Sequence, residues 1–498
     1  VTPKPISISG FGIASKVYDG NTTANIGSAG TLPGVYAGDD VSIDTSAFVG
    51  VFDNKNVGTA HTVTVSGLGI GGNQRNNYSF TAPTTALGTI TRLNSVTWTG
   101  GATGNWFDPA NWAGGAVPDL ANVANVVIPS GVTATFGSTV VSPAVAGTVQ
   151  IDSINPGSAS GGLSMTAGNL QVGSGGANLS NFSQVDGTLA VAGNLSVTQS
   201  FSQAATGSVA VTGNASVTDT SGGLTLGALT VAGNLGLSST GGNITQVPGT
   251  ALAVTGVSNL IARNGAQNAD IVISELANHF QGAVSADGSA VTLQDSGSLI
   301  LGAITSSGAL NVTAGSHITQ TGALQATGAS SLTAASGDIT LNNANNSFAA
   351  PLSVSGTNIS LQAASALPLG TVTATGNMAL ASNGSITQTP ATQVSVGQGA
   401  SLQAPAGVSL NPGNQIQGGV QQSPQSGGNS APEHHTVKVQ GGTLLAPTLP
   451  TPQNERTYTP QMPQVQEAAP SNERVPSQGV VQEADRLLIV NNSDRSGD

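Results

Sequence analysis

Eight acidic side chains are the main candidates for chemistry in the long central part of this 498-residue chain. They lie within residues 137–410: Asp152, Asp186, Asp219, Asp270, Glu275, Asp287, Asp295 and Asp338. Glycoside hydrolysis needs two carboxyl groups about 5 to 9.5 Å apart. These acids recur at no spacing that would stack such a pair, and most adjoin Gly, Asn or Ser. Turn positions therefore explain them better than catalysis, and we assign no catalytic residue.

Metal-binding side chains are also poorly grouped. The histidines are His61, His279, His317 and the pair His434-His435. None has two further ligands at a workable spacing. Asp39, Asp40 and Asp44 match neither the EF-hand nor the glycine-rich nonapeptide that binds Ca²⁺. Solvated loops account for both groups, so we expect no metal and no cofactor.

The three tryptophans, Trp98, Trp106 and Trp112, lie close together in the sequence. Exposed tryptophans stack on sugars or anchor protein interfaces. Buried ones would instead form a local core, or a cap over the start of the repetitive segment that follows. The sequence favours the cap, because an uncovered sheet edge invites pairing with other chains.

The composition excludes several classes of protein. Only 7% of residues are charged, against about 25% in ordinary globular domains. The net charge of -12 opposes phosphate backbones, so nucleic-acid binding is not expected. The absence of cysteine leaves no disulfide and no thiolate site. The sequence contains no apolar run of the roughly 20 residues that a transmembrane helix needs, and it starts at Val1 without a leader. We therefore expect a mature fragment of a longer protein.

Residues 1–92 alternate apolar and polar side chains in short runs separated by Gly and Asn/Asp turns, which is typical of a small antiparallel β-sandwich. The segment resembles the YDG repeat of large bacterial surface proteins. The matching motifs are Lys16-Val17-Tyr18-Asp19-Gly20, Gly38-Asp39-Asp40-Val41, Asp53-Asn54-Lys55-Asn56-Val57-Gly58-Thr59, Thr62-Val63-Thr64-Val65-Ser66-Gly67 and Asn77-Tyr78. The resemblance implies a stalk or spacer module, present here in one copy.

Residues 137–410 are repetitive and contain one Lys or Arg, Arg263. Gly-Asn precedes Leu195, Ala215 and Leu235 at intervals of 20 residues, which is about one coil of a parallel β-helix. A period of 68 residues relates Asn278 to Asn346, Phe280 to Phe348, Leu301 to Leu369, Gly308 to Gly376 and Ile318 to Ile386. The triplet Ile-Thr-Gln starts at Ile244, Ile318 and Ile386.

The repeats predict a right-handed parallel β-helix. In each coil, alternate side chains point inward, as we expect for Leu235 and Leu237, and Asn234 marks the preceding corner. If 68 residues form three coils, a coil takes about 23 residues. About twelve coils of ~4.8 Å would build a rod roughly 60 Å long.

The segments on either side of the repeats differ from them. Residues 96–136 resemble a Trp/Gly module found near the ends of β-helical passengers, and we expect them to cap the solenoid. Residues 411–498 are rich in Pro, Gln and Ser, so the sequence predicts a disordered tail.

The whole arrangement resembles the C-terminal region of filamentous-haemagglutinin-like exoproteins, which leave the cell by two-partner secretion. The resemblance implies an outer-membrane secretion partner and a location that is secreted or at the bacterial cell surface. The expected function is non-enzymatic adhesion to host cells, glycans or other surfaces. Two alternatives remain: a structural stalk or biofilm-matrix protein without a specific ligand, and a β-helical polysaccharide-active enzyme.

Overall fold

An amino-terminal β module and a β-helix make up the described chain. The computed structural model describes residues 2–137, 148–157 and 161–422. The strands of the module are Lys4–Ser7, Gly12–Ile13, Lys16–Val17, Thr23–Ala24, Ile26–Ser28, Ser42–Asp44, Val49–Phe52, Gly58–Ser66, Gly69–Gly71, Tyr78–Thr81 and Thr85–Thr91, with a 3-10 turn at Arg75–Asn77. Alternating burial along Gly58–Ser66 puts Val63 and Val65 in the core and Thr62 and Thr64 outside.

The main sheet of the module has five strands and is mostly antiparallel. The strand Gly58–Ser66 pairs antiparallel with both Val49–Phe52 and Thr85–Thr91. Two pairings are parallel, however: Lys16–Val17 joins the edge of the sheet beside Thr85–Thr91, and Lys4–Ser7 pairs with Tyr78–Thr81. The module is therefore a small β structure with mostly antiparallel pairings, as the sequence predicts, and with two parallel pairings that the sequence does not indicate.

The β-helix occupies the rest of the described chain. Its strands are Leu93–Thr97, Thr103–Asn105, Val123–Val127, Thr133–Phe136, Val149–Ile154, Gly162–Met165, Asn169–Gln184, Thr188–Val191, Leu195–Gln203, Ser208–Val211, Ala215–Asp219, Leu224–Leu226, Ala228–Val231, Leu235–Ser239, Gly241–Gly242, Ile244–Gln246, Leu252–Val254, Ser258–Asn264, Gln267–Asn268, Ile271–Ile273, His279–Phe280, Val284–Gly288, Val291–Asp295, Leu299–Ser306, Leu310–Ala314, Ile318–Gln320, Leu324–Ala326, Ser330–Ala334, Ile339–Leu341, Ser347–Phe348, Leu352–Gly356, Ile359–Ala363, Leu367–Ala374, Met378–Ser382, Ile386–Gln388, Val394–Val396, Ala400–Gln403, Val408–Ser409, Gln415–Ile416 and Val420–Gln422. Two 3-10 turns, Pro109–Asn111 and Ala113–Gly115, lie within the first coil.

Strands one coil apart pair in parallel and in register, so like residues stack. Leu195, Ala215 and Leu235 form one such column, and all three are buried. Three columns of strands form three faces around about 14 coils, which confirms the predicted parallel β-helix. At ~4.8 Å per coil the rod is about 65 Å long.

Asparagines form ladders at the corners. Asn234 is exposed, and Leu235 and Leu237 point inward, as the sequence predicts. The Oδ1 atom of Asn194 accepts the amide of Asn214 at 2.9 Å, and Asn214 Oδ1 accepts the amide of Asn234 at 2.8 Å. Each corner side chain thus holds the next coil.

The repeat is longer than three coils. Ile244 stacks on Ile271, Val291 and Leu310 over three coils of one face. The next strand begins at Ile318 and therefore lies one face further around the rod. Successive Ile-Thr-Gln triplets are separated by three and one-third coils.

The following repeat shows the same offset. Ile318 stacks on Ile339, Ile359 and Met378, and Ile386 starts the next strand. These three steps average about 20 residues per coil, an ordinary length for a solenoid repeat. The expectation that each repeat forms three longer coils is therefore wrong. Repeats are rotated by a third of a turn because each spans three whole coils and one further face.

A partly buried pair of carboxamides occurs once in each repeat. The Gln that ends each Ile-Thr-Gln triplet binds an Asn of the next coil, and each amide both donates to and accepts from the other. The pairs are Gln246 with Asn278 (2.7 and 2.9 Å), Gln320 with Asn346 (2.8 and 2.9 Å) and Gln388 with Asn414 (3.1 and 2.7 Å). The reciprocal bonds satisfy polar groups at corners where the chain makes a longer loop.

The ends of the β-helix differ from the predicted boundaries. Residues 96–136, expected as a separate cap, include strands of the long sheet, because Leu93–Thr97 pairs with Val123–Val127. Residues 411–422, expected in the tail, include two strands of the last coil, Gln415–Ile416 and Val420–Gln422. The remainder of the predicted disordered tail, 423–498, lies outside the described residues.

Candidate functional site

The acids of the coils have separate partners rather than forming a cluster. Two of them bind an arginine side chain: Asp152 binds Arg92, and Asp287 binds Arg263. Four accept a hydrogen bond from a backbone amide: Asp186 from Gly187, Glu275 from Gly249, Asp270 from Ala290 and Asp338 from Asn358. Asp219 and Asp295 are buried. They accept backbone amides, including those of Phe201 at 3.0 Å and Phe280 at 2.6 Å. These contacts hold corners and neighbouring coils together.

The histidines also lie apart. His61 is buried against Phe52, and its Nδ1 lies 2.6 Å from Asp53 Oδ1. The hydrogen bond from His61 lowers the pKa of the Asp53 carboxyl below its usual value. His279 and His317 are half exposed on the coils, and His434-His435 lies outside the described residues.

The candidate Ca²⁺ ligands do not converge. Asp39 accepts the hydroxyl of Tyr78 at 2.6 Å, Asp40 accepts the amide of Asn73, and Asp44 accepts the amide of Ser46. Within residues 2–137, 148–157 and 161–422, no group of three or more His, Cys, Asp or Glu side chains is arranged to hold a metal ion.

The tryptophans are buried, as the sequence predicts, but they form a local core within the first coils rather than a separate cap over them. Each is at most 2% exposed. Trp112 makes edge-to-face contacts with Trp98 and Trp106, with ring centroids 5.0 and 5.1 Å apart. Their indole N–H groups donate to backbone carbonyl oxygens, among them that of Pro118. These rings are not available to stack on a sugar, and they fill the first coils of the β-helix.

The YDG motif joins the amino-terminal module to the β-helix. Tyr18 is 1% exposed and donates its hydroxyl to the carbonyl of Val117 at 2.9 Å. Asp119 lies 3.1 Å from the same hydroxyl and 2.7 Å from Lys55 Nζ. Burial, followed by the charge of Asp119, raises the pKa of Tyr18 well above its ordinary value. The tyrosine therefore remains a neutral donor within the interface.

Close backbone approach fixes the same interface. Gly20 has a φ of 78°, and a Cβ there would lie 2.5 Å from the carbonyl oxygen of Gly115. Asn122, buried in the first coil, accepts the amide of Val57 at 2.8 Å and donates to Asn56 at 2.9 Å. The buried apolar side chains of the module and of the first coils form one continuous core. The first coil is thus covered by the module.

A groove of about 560 Å³ lies near the carboxyl end of the described β-helix. One row of outward side chains follows the strand register across five coils: Thr340, Ser360, Ala379, Ser401 and Gln421. A second row follows the corner: Asp338, Asn358, Asn377, Gly399 and Gly419. The groove deepens where Ala379 and the two glycines replace longer side chains.

Hydrogen bonds along the corner make one wall of the groove rigid. Asn358 donates both its amide and its Nδ2 to Asp338 Oδ1 at 2.9 Å, and Asn377 donates its amide to Asn358 Oδ1 at 2.9 Å. The backbone amide of Asn358 is the main cause that lowers the pKa of the Asp338 carboxyl below its usual value. Asp338 is therefore charged at neutral pH, and it is the one charged residue of the groove lining.

The sequence did not indicate this groove. Most of its residues are Ser, Thr, Asn, Gly and Ala, which occur throughout the coils. The groove depends on which coils bring small residues next to one another. An accurate coil length would have been needed to find that juxtaposition.

The fold and its repeats define the class: this is a repeat-containing β-helical protein with an amino-terminal YDG module. Residues 2–86 match the family described as YDG domain. Residues 212–287, 288–355 and 356–423 each match the family described as repeats of unknown function (DUF5649). The boundaries between these matches are consistent with the period read from the sequence. No curated protein and no solved structure matches the chain. Among the described residues, no helix is long and apolar enough to cross a membrane.

Proposed function

We propose that this protein is a non-enzymatic adhesin, displayed at the bacterial cell surface or secreted, whose β-helical rod attaches to host cells or other surfaces. The observation that carries the proposal is a long, almost uncharged rod whose polar faces repeat over about 14 coils. The one Arg or Lys of residues 137–410, Arg263, is already bound to Asp287. Such faces suit many weak, uncharged contacts that add up by avidity.

A structural stalk is the second candidate. The contacts of Tyr18, Asp119 and Asn122 favour it, because they join module and β-helix through a buried interface. A joint of this kind transmits orientation along the chain, which a spacer requires. An adhesin requires it as well, so the two functions differ only in whether the rod itself binds a ligand.

The proposal includes export through an outer-membrane secretion partner. The cysteine-free composition and the resemblance to two-partner-secretion exoproteins support it. A polysaccharide-active enzyme is less favoured, because the coil acids bind separate partners. Expression with and without a candidate secretion partner, followed by protease treatment of intact cells, tests the location.

Attachment of coated beads separates adhesin from stalk. Beads carrying the full chain at high and at tenfold lower density are washed over epithelial cells, and retained beads are counted. An adhesin that acts by avidity should lose far more than tenfold of its retention at the lower density. Retention no greater than that of albumin-coated beads, at both densities, would favour the stalk.

A further inference from the structure

We propose that the groove lined by Thr340, Ser360, Ala379, Ser401 and Gln421 binds an extended, uncharged glycan chain that runs along the axis of the rod. This inference rests on the proposed adhesive function and names the ligand class of one site. The five side chains lie on successive coils, so the row spans four coil spacings, or about 19 Å. That length accommodates several sugar units.

Hydroxyl groups along the row are available to a ligand. Among the described residues, neither the Thr340 nor the Ser401 hydroxyl has a hydrogen-bond partner. Ser360 donates its hydroxyl to Asn342 Oδ1 at 2.7 Å, which leaves its oxygen free to accept. Sugar hydroxyls both donate and accept, so they match these groups along the whole row.

The backbone of the groove favours a glycan over a peptide. Peptides commonly bind a β protein by adding a strand to an exposed sheet edge. Among the described residues, the last groove strand, Val420–Gln422, pairs with one strand, Ala400–Gln403. The other four groove strands, such as Ile359–Ala363 and Met378–Ser382, pair in parallel with a strand on both sides. Their backbone groups are used within the sheet, so recognition falls to side-chain hydroxyl, carboxamide and methyl groups. The exposed methyl group of Ala379 offers a small apolar contact for the C–H face of a sugar ring.

Charge selects among glycans. Asp338 lies at one end of the groove and is held ionised by Asn358. No Lys or Arg lines the groove to balance it. Sialylated, uronic or sulfated chains would meet like charge, whereas a neutral chain can donate a hydroxyl to Asp338 Oδ2, which lies 4.0 Å from His317 Nδ1. None of the lining residues is aromatic, so each site binds weakly and depends on many copies at a surface.

A glycan array measures the ligand class directly. The full chain, labelled at low density, is applied to neutral oligosaccharides, their sialylated and sulfated counterparts, and an extended peptide library. We expect binding to neutral chains that improves with chain length up to the span of the groove. A preference for acidic glycans or for peptides would overturn the proposal.

Matched variants locate the binding to the groove. Ala379→Ile fills the floor and should weaken neutral-glycan binding about tenfold or more. Its control is Ala210→Ile, which alters another exposed alanine on a strand outside the groove. Thr340→Val should weaken binding about fivefold through loss of one hydrogen bond, and Thr230→Val should not. Circular dichroism checks that each variant keeps its strand content.

The substitution Asp338→Asn tests the role of charge. Asn keeps an oxygen for the amide of Asn358, so the corner ladder remains. We expect acidic glycans to bind the variant better than the parent, with neutral glycans nearly unchanged. If groove variants bind glycans like the parent chain while coated beads still attach to cells, the groove assignment fails and the adhesin proposal stands. If variants lose glycan binding but beads carrying the parent chain do not attach, the adhesin proposal fails and the groove assignment stands.

Discussion

Replacing Asn346 with leucine should open the β-helix locally. Asn346 is completely buried and makes five hydrogen bonds: to Gln320 in both directions, from the amide of Leu324, and to the carbonyls of Leu341 and Gln362. The two hydrogens of its Nδ2 group are shared among three of these acceptors, so the side chain makes the equivalent of four full bonds. At about 1 kcal/mol each, their loss costs about 4 kcal/mol. Burial of the leucine side chain offsets about 2 kcal/mol. The expected loss of local stability is therefore about 2 kcal/mol.

Hydrogen exchange detects this loss where it occurs. Because each coil contacts only its neighbours, amides near residues 318–363 should exchange about thirtyfold faster in Asn346→Leu, and those near 188–231 should be unchanged. Asn345→Leu is the matched control, since Asn345 lies in the same loop with an exposed side chain. It should change stability by less than about 0.5 kcal/mol. Equal exchange in the two variants would refute the role of the carboxamide pair.

The coil length and one pKa provide two further predictions. Thr313 and Thr333 lie in register on adjacent strands, so the double variant Thr313→Cys, Thr333→Cys should form a disulfide under mild oxidation. The double variant Thr313→Cys, Ser336→Cys has the spacing of the longer coil that the sequence predicts, and it should not form one. Mass spectrometry after thiol blocking measures the disulfide in each variant. Asp53 should titrate below its usual pKa by NMR, and His61→Leu should raise that pKa. Because folding lowers this pKa, the Asp53 carboxylate stabilises the folded module at pH values above its unfolded pKa. That stabilisation is lost as the pH falls through the folded pKa. The stability of His61→Leu should therefore depend less on pH in the acid range.

The β-helical fold can be predicted from the alternation of apolar and polar side chains, because alternation is a local property of the sequence. Leu235 and Leu237 had to share one side of a strand, and Asn234 had to precede it. The register between coils depends on loop lengths instead. Loops such as that before Asn278 make some coils longer than others, and the period of the sequence repeat alone does not show how many coils it covers. The assumption of a whole number of coils led to the wrong coil length.

Other features depended on contacts between distant parts of the chain. Tyr18 and Gly20 were recognised as a motif, yet their contacts with Val117 and Gly115 lie far along the sequence, in the first coil. The Ile-Thr-Gln triplets and Asn346 recur along the sequence, but nothing in the sequence pairs Gln320 with Asn346. Sequence periodicity shows that a residue recurs and does not identify its partner.

The rotation between repeats explains why the groove is not encoded by any single repeat. Asp338 and Thr340 belong to the matched unit 288–355, and Ser360 and Ala379 belong to the unit 356–423. Each unit begins a third of a turn after the previous one, so strands of different parts of the repeat share a face. Adjacent units can therefore diverge in a few outward residues and create a new surface, while the inward ladders and the partly buried carboxamide pairs stay the same. Adding or removing a unit would turn everything beyond it by a third of a turn, which makes the number of repeats a determinant of the direction in which a surface faces.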